Sequence, residues 1–377
     1  MSLDKFLNVL DITRAGTEVA LGDLTRAAAP LVFAKAPGES PFVLRAPFFL
    51  SRAEFAHVFP AGPQRRGEDV ICAVRECFLL GPFGAVVLPT GQLLRQSVIN
   101  LDGEALQYSL AQFTGQYPGA HIPWSSAEQP VFAANSYATN NYFHFLIDSL
   151  ANLHWRDSVP VAAAMKYIVS GYGPGAEATL PFIPSAYAGL AMESKDRQAF
   201  DGTLLFCRSL VFPRRVTGAD PARVAWLRRS FGVTDILGGA RGTDKLYIAR
   251  GDAQRRRIVN EPEIMARLEK RGFLCVTPGA LPVRDQAHLF ARARLVAGPH
   301  GAGLANCAFM APGGAVVELT HTGRVVGTYH ELASAAGLGY GAVIGDMHGD
   351  AGQPILADFA VDIDAVEAAI AAAEQIL

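Results

Sequence analysis

One glycine-rich stretch combines residue types that can bind a phosphate group. It spans Gly298–Asn306 and reads GPHGAGLAN. It follows an apolar run at 293–297, which is typical of a buried strand, and it leads into helical spacing over 304–310. A strand, a glycine turn and a helix in that order bring backbone N–H groups and the positive end of a helix dipole to one point. The stretch therefore predicts a phosphate-bearing ligand.

Within this stretch, the residues expected to contact the ligand are His300, Gly301, Ala302 and Gly303. A glycine turn alone is weak support, because many such turns only end or begin helices. Asn306 has two open interpretations, since its amide could bond to the ligand or only to the turn.

An arginine-rich loop supplies cations that suit the same ligand. Arg250 follows a predicted strand at 245–249, and Arg255, Arg256 and Arg257 come shortly after it. Guanidinium groups form bidentate hydrogen bonds to phosphate oxygens and can stabilise the charge of a departing diphosphate. We predict that Arg250, Arg256 and Arg257 bind the donor phosphates, and that Arg255 is a surface residue. The alternative is a solvated basic loop without a ligand.

One acidic residue follows the glycine stretch at the end of a hydrophobic run. Glu318 lies near the end of the predicted strand at 315–320, where its two oxygens could accept hydrogen bonds from ribose hydroxyls. The alternative is a carboxylate held in a structural ion pair.

A second group of polar residues lies on a largely apolar helix predicted over 140–150. Asn141, His144 and Asp148 share one stripe of this helix. Polar side chains in that setting are hydrogen-bonded or face a cavity. We predict that Asp148 and His144 form the catalytic base, with the carboxylate orienting the imidazole, and that Asn141 supports the helix or touches the acceptor. A buried structural pair is the alternative.

The elements that position these residues alternate between strand and helix in the second half of the chain. Such alternation predicts a parallel sheet covered on both faces, in which ligands bind beyond the carboxyl ends of the strands. Arg250, His300 and Glu318 each lie at or just past such an end. The predicted strands are 245–249, 273–277, 295–297, 315–320 and 340–344, and the predicted helices are 260–271, 283–293, 328–336 and 364–377.

The first half of the chain is less regular. Residues 1–65 have no clear period, and 70–98 read as antiparallel strands broken by Gly and Pro turns. Glycines within 232–243 suggest a linker. We therefore expect an N-terminal α/β domain over 1–235 and a C-terminal domain over 243–377.

Composition narrows the functional classes. The 377 residues carry a net charge of −2, which argues against a nucleic-acid-binding protein. Neither a signal peptide nor a run of about 18 apolar residues is evident, so we expect a cytoplasmic protein without a membrane span. The five cysteines are scattered and mostly apolar in context, which favours buried free thiols.

Three motifs in order resemble glycosyltransferase family 61, whose bacterial members are often described as capsular polysaccharide biosynthesis proteins. They are the helix Asn141–Asp148, the loop Arg250–Asn260, and Gly298–Asn306 followed by the strand that ends in Glu318. The resemblance is good over about 130–320 and faint before it. Ala305 stands where Thr is more usual in the family.

The resemblance implies two Rossmann-like domains facing across a cleft, the GT-B architecture, and an inverting, metal-independent transfer. The C-terminal domain would hold a nucleotide sugar, UDP- or GDP-linked, and a glycan would be the acceptor. The transferred sugar is expected to be a hexose or a pentose. The implied context is surface or capsular polysaccharide synthesis. Peripheral association with a membrane is compatible with this context.

Other functions stay open at this point. A dinucleotide-dependent oxidoreductase would use Gly301–Gly303 and Glu318, but Asn306 replaces the third glycine of its fingerprint. A non-catalytic glycan-binding relative would lack the base and the arginines. Asp362 and Asp364 resemble a metal-binding DxD pair only superficially, because Asp364 is expected to cap the last helix. A zinc hydrolase built on His144 and Asp148 lacks a third ligand, and no resident cofactor is expected.

Overall fold

The computed structural model divides the chain into two compact units. The first comprises Met1–Ser40 and Arg66–Thr217, and the second comprises Pro41–Arg65 and Gly218–Leu377. Most of the predicted linker, 235–241, lies outside the described residues, so the predicted domain boundaries stay predictions. The residues described are 9–20, 23–24, 29–35, 42–63, 70–82, 84–98, 124–159, 162–200, 202–234, 242–250, 255–348 and 353–377.

The described elements alternate between strands and helices of several types. The strands are β1 (Val9–Leu10), β2 (Thr17–Glu18), β3 (Leu31–Lys35), β4 (Val43–Leu44), β5 (Phe49–Leu50), β6 (Gly62–Pro63), β7 (Val70–Leu80), β8 (Ala85–Val87), β9 (Leu93–Leu94), β10 (Trp124–Ala127), β11 (Val131–Ala133), β12 (Lys166–Ile168), β13 (Leu204–Pro213), β14 (Asp244–Ile248), β15 (Phe273–Val276), β16 (Ala293–Pro299), β17 (Ala315–His321), β18 (Gly339–His348) and β19 (Asp358–Ala360). The α-helices are α1 (Ile12–Ala15), α2 (His154–Ser158), α3 (Pro174–Glu177), α4 (Phe182–Gly189), α5 (Pro221–Ser230), α6 (Glu261–Lys270), α7 (Val283–Ala291), α8 (Thr328–Ala335) and α9 (Ile363–Gln375).

The first unit is built on a mixed sheet. Its longest pair, β7 with β13, is antiparallel, and β7, β8 and β9 continue as the antiparallel series predicted over 70–98. Beyond β13 the sheet turns parallel, with the order β13, β11, β12. The carboxyl ends of β11 and β12 therefore meet at one edge of the sheet.

The second unit is built on a largely parallel sheet, which confirms the prediction for this half. The order is β15, β14, β16, β17, β18, and every neighbouring pair along it is parallel. Strand β19 adds to β18 in the antiparallel direction, and β5 pairs with β18 in parallel. The chain is thus a mixed α/β protein with parallel and antiparallel strands.

The last helix shows how apolar spacing fixes the packing of the second unit. Val366, Ala369, Ile370 and Ala373 lie on one face of α9 and are all buried against the sheet. Burial of a side chain such as Ile370 stabilises the fold by roughly 1.5–3 kcal/mol. The helix thereby covers one face of the sheet whose strand ends carry the candidate residues.

The predicted helix over 140–150 is helical but not a continuous α-helix. A turn at 142–143 leads into a π-helix at His144–Ser149, a 3-10 helix at Leu150–Leu153 and then α2. Phe145, Leu146 and Leu150 are fully buried, as the apolar pattern predicts. Single-turn π segments are frequently found at functional sites.

Within the described residues, no helix combines the length and apolar character needed to cross a membrane. The cysteines are free thiols, and of the five only Cys275 is less than fully buried.

Candidate functional site

The centre of the site in the second unit is a buried imidazole and carboxylate pair. His300 follows β16, Glu318 lies in β17 opposite Gly298, and Nδ1 of His300 is hydrogen-bonded to Oε1 of Glu318. The hydroxyl of Tyr340 on β18 donates to the other oxygen, Oε2, at 2.5 Å. Since the carboxylate accepts, Nδ1 of His300 carries the hydrogen and Nε2 keeps a lone pair. Glu318 therefore orients His300, and both of its oxygens are already engaged.

Two side chains donate hydrogen bonds to backbone carbonyls of the glycine turn. Arg250 Nη1 donates to the carbonyl of His300 at 2.9 Å, and the Tyr329 hydroxyl donates to the carbonyl of Gly301 at 2.5 Å. A Cβ added at Gly301 would lie 2.3 Å from Arg250 Nη1. The absence of a side chain at Gly301 is thus what lets the guanidinium reach the turn. Ala302 begins a 3-10 helix, Ala302–Phe309, rather than an α-helix.

Three guanidinium groups cluster beside His300. Nε of Arg324 lies 3.4 Å from Nε2 of His300. Burial, and then the charges of Arg250 and Arg324, lower the pKa of Arg256. Nε of Arg256 is buried and has no hydrogen-bond partner among the described residues. Arg256 also holds a left-handed backbone with φ of 57°, which is costly for a residue with a side chain.

His321 extends this basic cluster. Burial lowers the pKa of its imidazole, and the neighbouring His300, Arg256 and Arg324 lower it further. Its Nδ1 accepts from the backbone of Gly323 at 3.2 Å, while its buried Nε2 meets no partner in the described part of the chain.

Taken together, Arg250, Arg256 and Arg324 place three positive charges near one point at the carboxyl ends of parallel strands, with the imidazole of His321 beside them. Like charges at such short range repel one another, and burial of a guanidinium group adds a desolvation cost. An anion with several oxygens, such as a diphosphate, would offset the repulsion and accept the available N–H groups.

Other sequence-predicted residues have structural partners instead. Arg257 forms an ion pair with Asp358, with Nη2 to Oδ2 at 2.8 Å and Nε to Oδ2 at 3.0 Å. Asn306 is fully buried, and its Nδ2 donates to Gln286 Oε1 at 2.8 Å and to the Gly303 carbonyl at 3.2 Å. Arg255 is exposed, as predicted. The structure thus brings Arg250 and Arg256 to the glycine turn, leaves Arg257 outside the basic cluster, and assigns Asn306 a bond to the turn.

Four residues of the site were not predicted. His321 and Arg324 lie at and just past the carboxyl end of β17, so the rule that located Arg250 and His300 could have located them too. Tyr329 and Tyr340 carry no comparable signal, because their contacts depend on how α8 and β18 pack against the neighbouring strands.

A second pair of side chains lies in the first unit, on the π-helix. His144 Nδ1 is 2.7 Å from Oδ2 of Asp148. Asp148 is completely buried, whereas 26% of the His144 side chain is exposed. The carboxylate must accept, so Nδ1 carries the hydrogen and the Nε2 lone pair is the atom able to take a proton. The pair is arranged as a general base with its orienting carboxylate.

The surroundings of this pair keep it in place. Asn141 Oδ1 accepts from the backbone of Phe143 at 2.9 Å, so Asn141 supports the start of the helix. Asn152 Nδ2 donates to the carbonyl of Asp148 at 2.7 Å. The ring of Tyr137 packs on the ring of His144 with centroids 4.8 Å apart. Tyr137 is one of the large side chains that remain partly exposed.

The DxD-like pair has a structural explanation that differs from the predicted one. Asp362, not Asp364, is the N-cap of α9, and its Oδ1 accepts from the backbone of Asp364 at 3.0 Å. The expectation of Asp364 as the cap was wrong because the helix begins at Ile363. Among the described residues, no group of three or more His, Cys, Asp or Glu side chains could hold a metal ion.

The family comparison covers residues of both candidate sites and ends one residue before Glu318. Residues 142–317 match the family model described as Glycosyltransferase 61. The matched segment contains His144 and Asp148 as well as Arg250, Arg256 and His300. No curated protein matches the chain significantly.

Proposed function

Because residues 142–317 match the family model of glycosyltransferase 61, we propose that the protein transfers a sugar from a nucleotide-diphosphate donor to a hydroxyl acceptor. The transferred group is a hexosyl or pentosyl group, and the configuration at its anomeric carbon inverts. The donor is UDP- or GDP-linked, and the acceptor is a glycan. The setting is surface or capsular polysaccharide synthesis on the cytoplasmic side of the membrane.

The observation that carries this proposal is the basic cluster. Arg250, Arg256 and Arg324 share a small volume with His300, and a buried nitrogen of Arg256 has no protein partner among the described residues. The bond that breaks joins the anomeric carbon to a diphosphate oxygen, and negative charge grows on that diphosphate as it leaves. Preorganised cations stabilise such charge more in the transition state than in the bound donor.

His300 has a specific place in this scheme. Its Nδ1–H is held by Glu318, which is in turn held by Tyr340. Nε2 is therefore fixed in direction beside Arg324. Through this nitrogen His300 accepts from Nε of Arg324 at 3.4 Å and holds that guanidinium in place for a diphosphate oxygen. We accordingly assign Glu318 the orientation of His300 rather than the binding of ribose.

The acceptor needs a base, which we assign to His144. The acceptor oxygen forms a bond to the anomeric carbon while the bond to the diphosphate breaks, and the acceptor proton passes to Nε2 of His144. Asp148 keeps the imidazole in the required tautomer and stabilises its charged form.

The oxidoreductase alternative requires an acidic residue with oxygens available for the ribose hydroxyls. Both oxygens of Glu318 are hydrogen-bonded to His300 and Tyr340, which makes this alternative less favourable. The non-catalytic alternative requires loss of the base or of the arginines, and His144, Asp148, Arg250 and Arg256 are all present.

Nucleotide binding provides the direct test. In a thermal-shift screen with UDP, GDP, CMP and NAD, we expect UDP or GDP to raise the melting temperature, because binding to the folded state stabilises it. Arg256→Gln should weaken that nucleotide about 10–100-fold, in line with the loss of a charge-assisted contact. Arg255→Gln, an exposed change on the same loop, serves as the matched control and should leave affinity unchanged. Stabilisation by NAD alone, or equal effects of the two variants, would contradict the proposal.

A further inference from the structure

The first unit contains a cavity of about 690 Å³ that neither the base nor the donor residues explain. It lies beyond the carboxyl end of β12, between the turn at Ser170–Tyr172, helix α4 and the segment Ser194–Phe200. We propose that this cavity binds the acceptor as a neutral saccharide, an inference that rests on the transferase function proposed above.

Aromatic rings form much of the wall. Tyr167, Tyr172, Tyr187 and Phe200 all line the cavity. Arginine side chains already cover Tyr167 and Tyr187, with Arg156 Cζ 4.5 Å from the Tyr167 centroid and Arg197 Cζ 4.3 Å from that of Tyr187. Tyr172 is half-buried. The negative face of an aromatic ring attracts the C–H groups on the flat side of a sugar ring, so Tyr172 is suited to stack on a saccharide.

Arg197 and Glu177 add one positive and one negative charge to the cavity wall, and this balance bears on the charge of the ligand. Arg197 Nη1 lies 3.8 Å from Oε2 of Glu177, and the Tyr187 hydroxyl donates to Oε1 of Glu177 at 3.2 Å. The side chain of Arg197 is 29% exposed and that of Glu177 is 17% exposed. Among the lining residues these two formal charges balance. A neutral ligand rich in hydroxyl groups therefore matches this cavity, whereas the basic cluster of the second unit favours a diphosphate.

The cavity wall is also rigid on one side. The turn at Gly171 packs so closely on Pro82 that an added Cβ would lie 1.8 Å from the Pro82 carbonyl oxygen. Ser170 and Tyr172 are tied together through the Ser170 hydroxyl, which accepts from the Tyr172 backbone at 3.0 Å. A fixed turn holds Tyr172 in position before a ligand arrives, which lowers the entropic cost of binding.

The cavity adjoins the helix that carries the proposed base. The ring of Tyr187 packs on Phe145, one residue after His144, with centroids 6.3 Å apart. The backbone of Gly171 donates to the Thr139 hydroxyl at 3.2 Å, in the loop that leads into the same helix. A saccharide seated on Tyr172 is thus held by elements in direct contact with the His144 helix, which is where an acceptor is needed.

Saturation-transfer NMR on the full chain tests the inference, with methyl glycosides of glucose, galactose, mannose and xylose as probes. We expect transfer to at least one glycoside. Tyr172→Ala should weaken that binding about three- to tenfold, whereas Tyr172→Phe, which keeps the ring, should retain it. Arg197→Gln should weaken binding about tenfold. Arg208→Gln, an exposed arginine of the same unit outside the cavity lining, is the control and should have no effect.

Each outcome has a distinct meaning when UDP and GDP thermal shifts are recorded on the same samples. Near-UV circular dichroism and a retained nucleotide shift verify that the Tyr172 variants are folded. Absence of saturation transfer from every glycoside, or equal binding by Tyr172→Ala and wild type, would overturn the inference. Absence of any nucleotide shift in the wild-type protein would instead contradict the proposed transferase function.

Discussion

Replacement of Asp148 by Asn tests the proposed base independently of the residues proposed to bind the donor. The two side chains have nearly the same shape, so the fully buried site keeps its packing. The amide cannot hold a negative charge, and its NH₂ group can donate to Nδ1 of His144 where the carboxylate accepted at 2.7 Å. Nε2 would then carry the hydrogen and could not accept the acceptor proton.

The size of the effect follows from this loss. A positioned general base contributes about 10²–10⁴-fold to the rate, so we expect Asp148→Asn to lower kcat by that range. The change in the free energy of unfolding is expected to be small, because loss of a charge-assisted hydrogen bond, about 1.5–3 kcal/mol, is offset by relief of the carboxylate's burial. Nucleotide affinity should remain that of the wild type, since the basic cluster belongs to the other unit.

The assay measures release of nucleoside diphosphate from the donor, with saturating donor and with the saccharide that gives the strongest NMR response. His144→Ala should lose activity to a similar degree and regain part of it with added imidazole. The double variant should be no slower than the slower single one, because residues that act as a unit are not additive. Turnover by Asp148→Asn within about threefold of the wild type would refute the assignment of this pair as the base.

Three further changes probe the second unit. Gly301→Ala places a Cβ 2.3 Å from Arg250 Nη1, so the guanidinium must move, and isothermal titration should show nucleotide affinity reduced about tenfold with the melting temperature nearly kept. Tyr340→Phe removes the hydrogen bond to Glu318, and kcat is expected to fall about fivefold while the donor KM stays constant. His321 has a lowered pKa in the free protein, so it is neutral near pH 7, and a bound diphosphate should raise that pKa. Near the ordinary histidine pKa of about 6.5, binding should therefore take up a proton and tighten as pH falls. Calorimetry in buffers of different ionisation enthalpy should find this dependence reduced in His321→Gln.

Strand ends were the most informative feature of the sequence for locating the site. Arg250, His300 and Glu318 were selected because each follows an apolar run, and parallel strands bring such ends to one edge regardless of side-chain detail. What the pattern could not show is which groups bond to each other. Glu318 was expected to be open to a ribose, yet it is occupied by His300 and by Tyr340, whose strand register no local pattern specifies.

The helix that carries the proposed base illustrates a different limit. Apolar spacing predicted the helix and the shared face of His144 and Asp148, but not the change from π to 3-10 geometry between Ser149 and Leu150. Each of these two helix types differs from the α-helix by less than one residue per turn, and apolar spacing over a segment of ten residues does not resolve that difference. The sequence pattern also could not identify the ion pair of Arg257, because its partner Asp358 lies 101 positions further along the chain.

The pairing of β5 with β18 has a consequence for how the protein is made. Residues 41–65 belong to the second unit, and Ser51 Oγ accepts from the backbone of Ile344, 293 positions further along the chain. At translation rates of about 5–20 residues per second, this early segment leaves the ribosome roughly 15–60 s before its partner strand exists. The first unit can complete most of its contacts during that interval, whereas the second unit can close its sheet only after β18 has been synthesised.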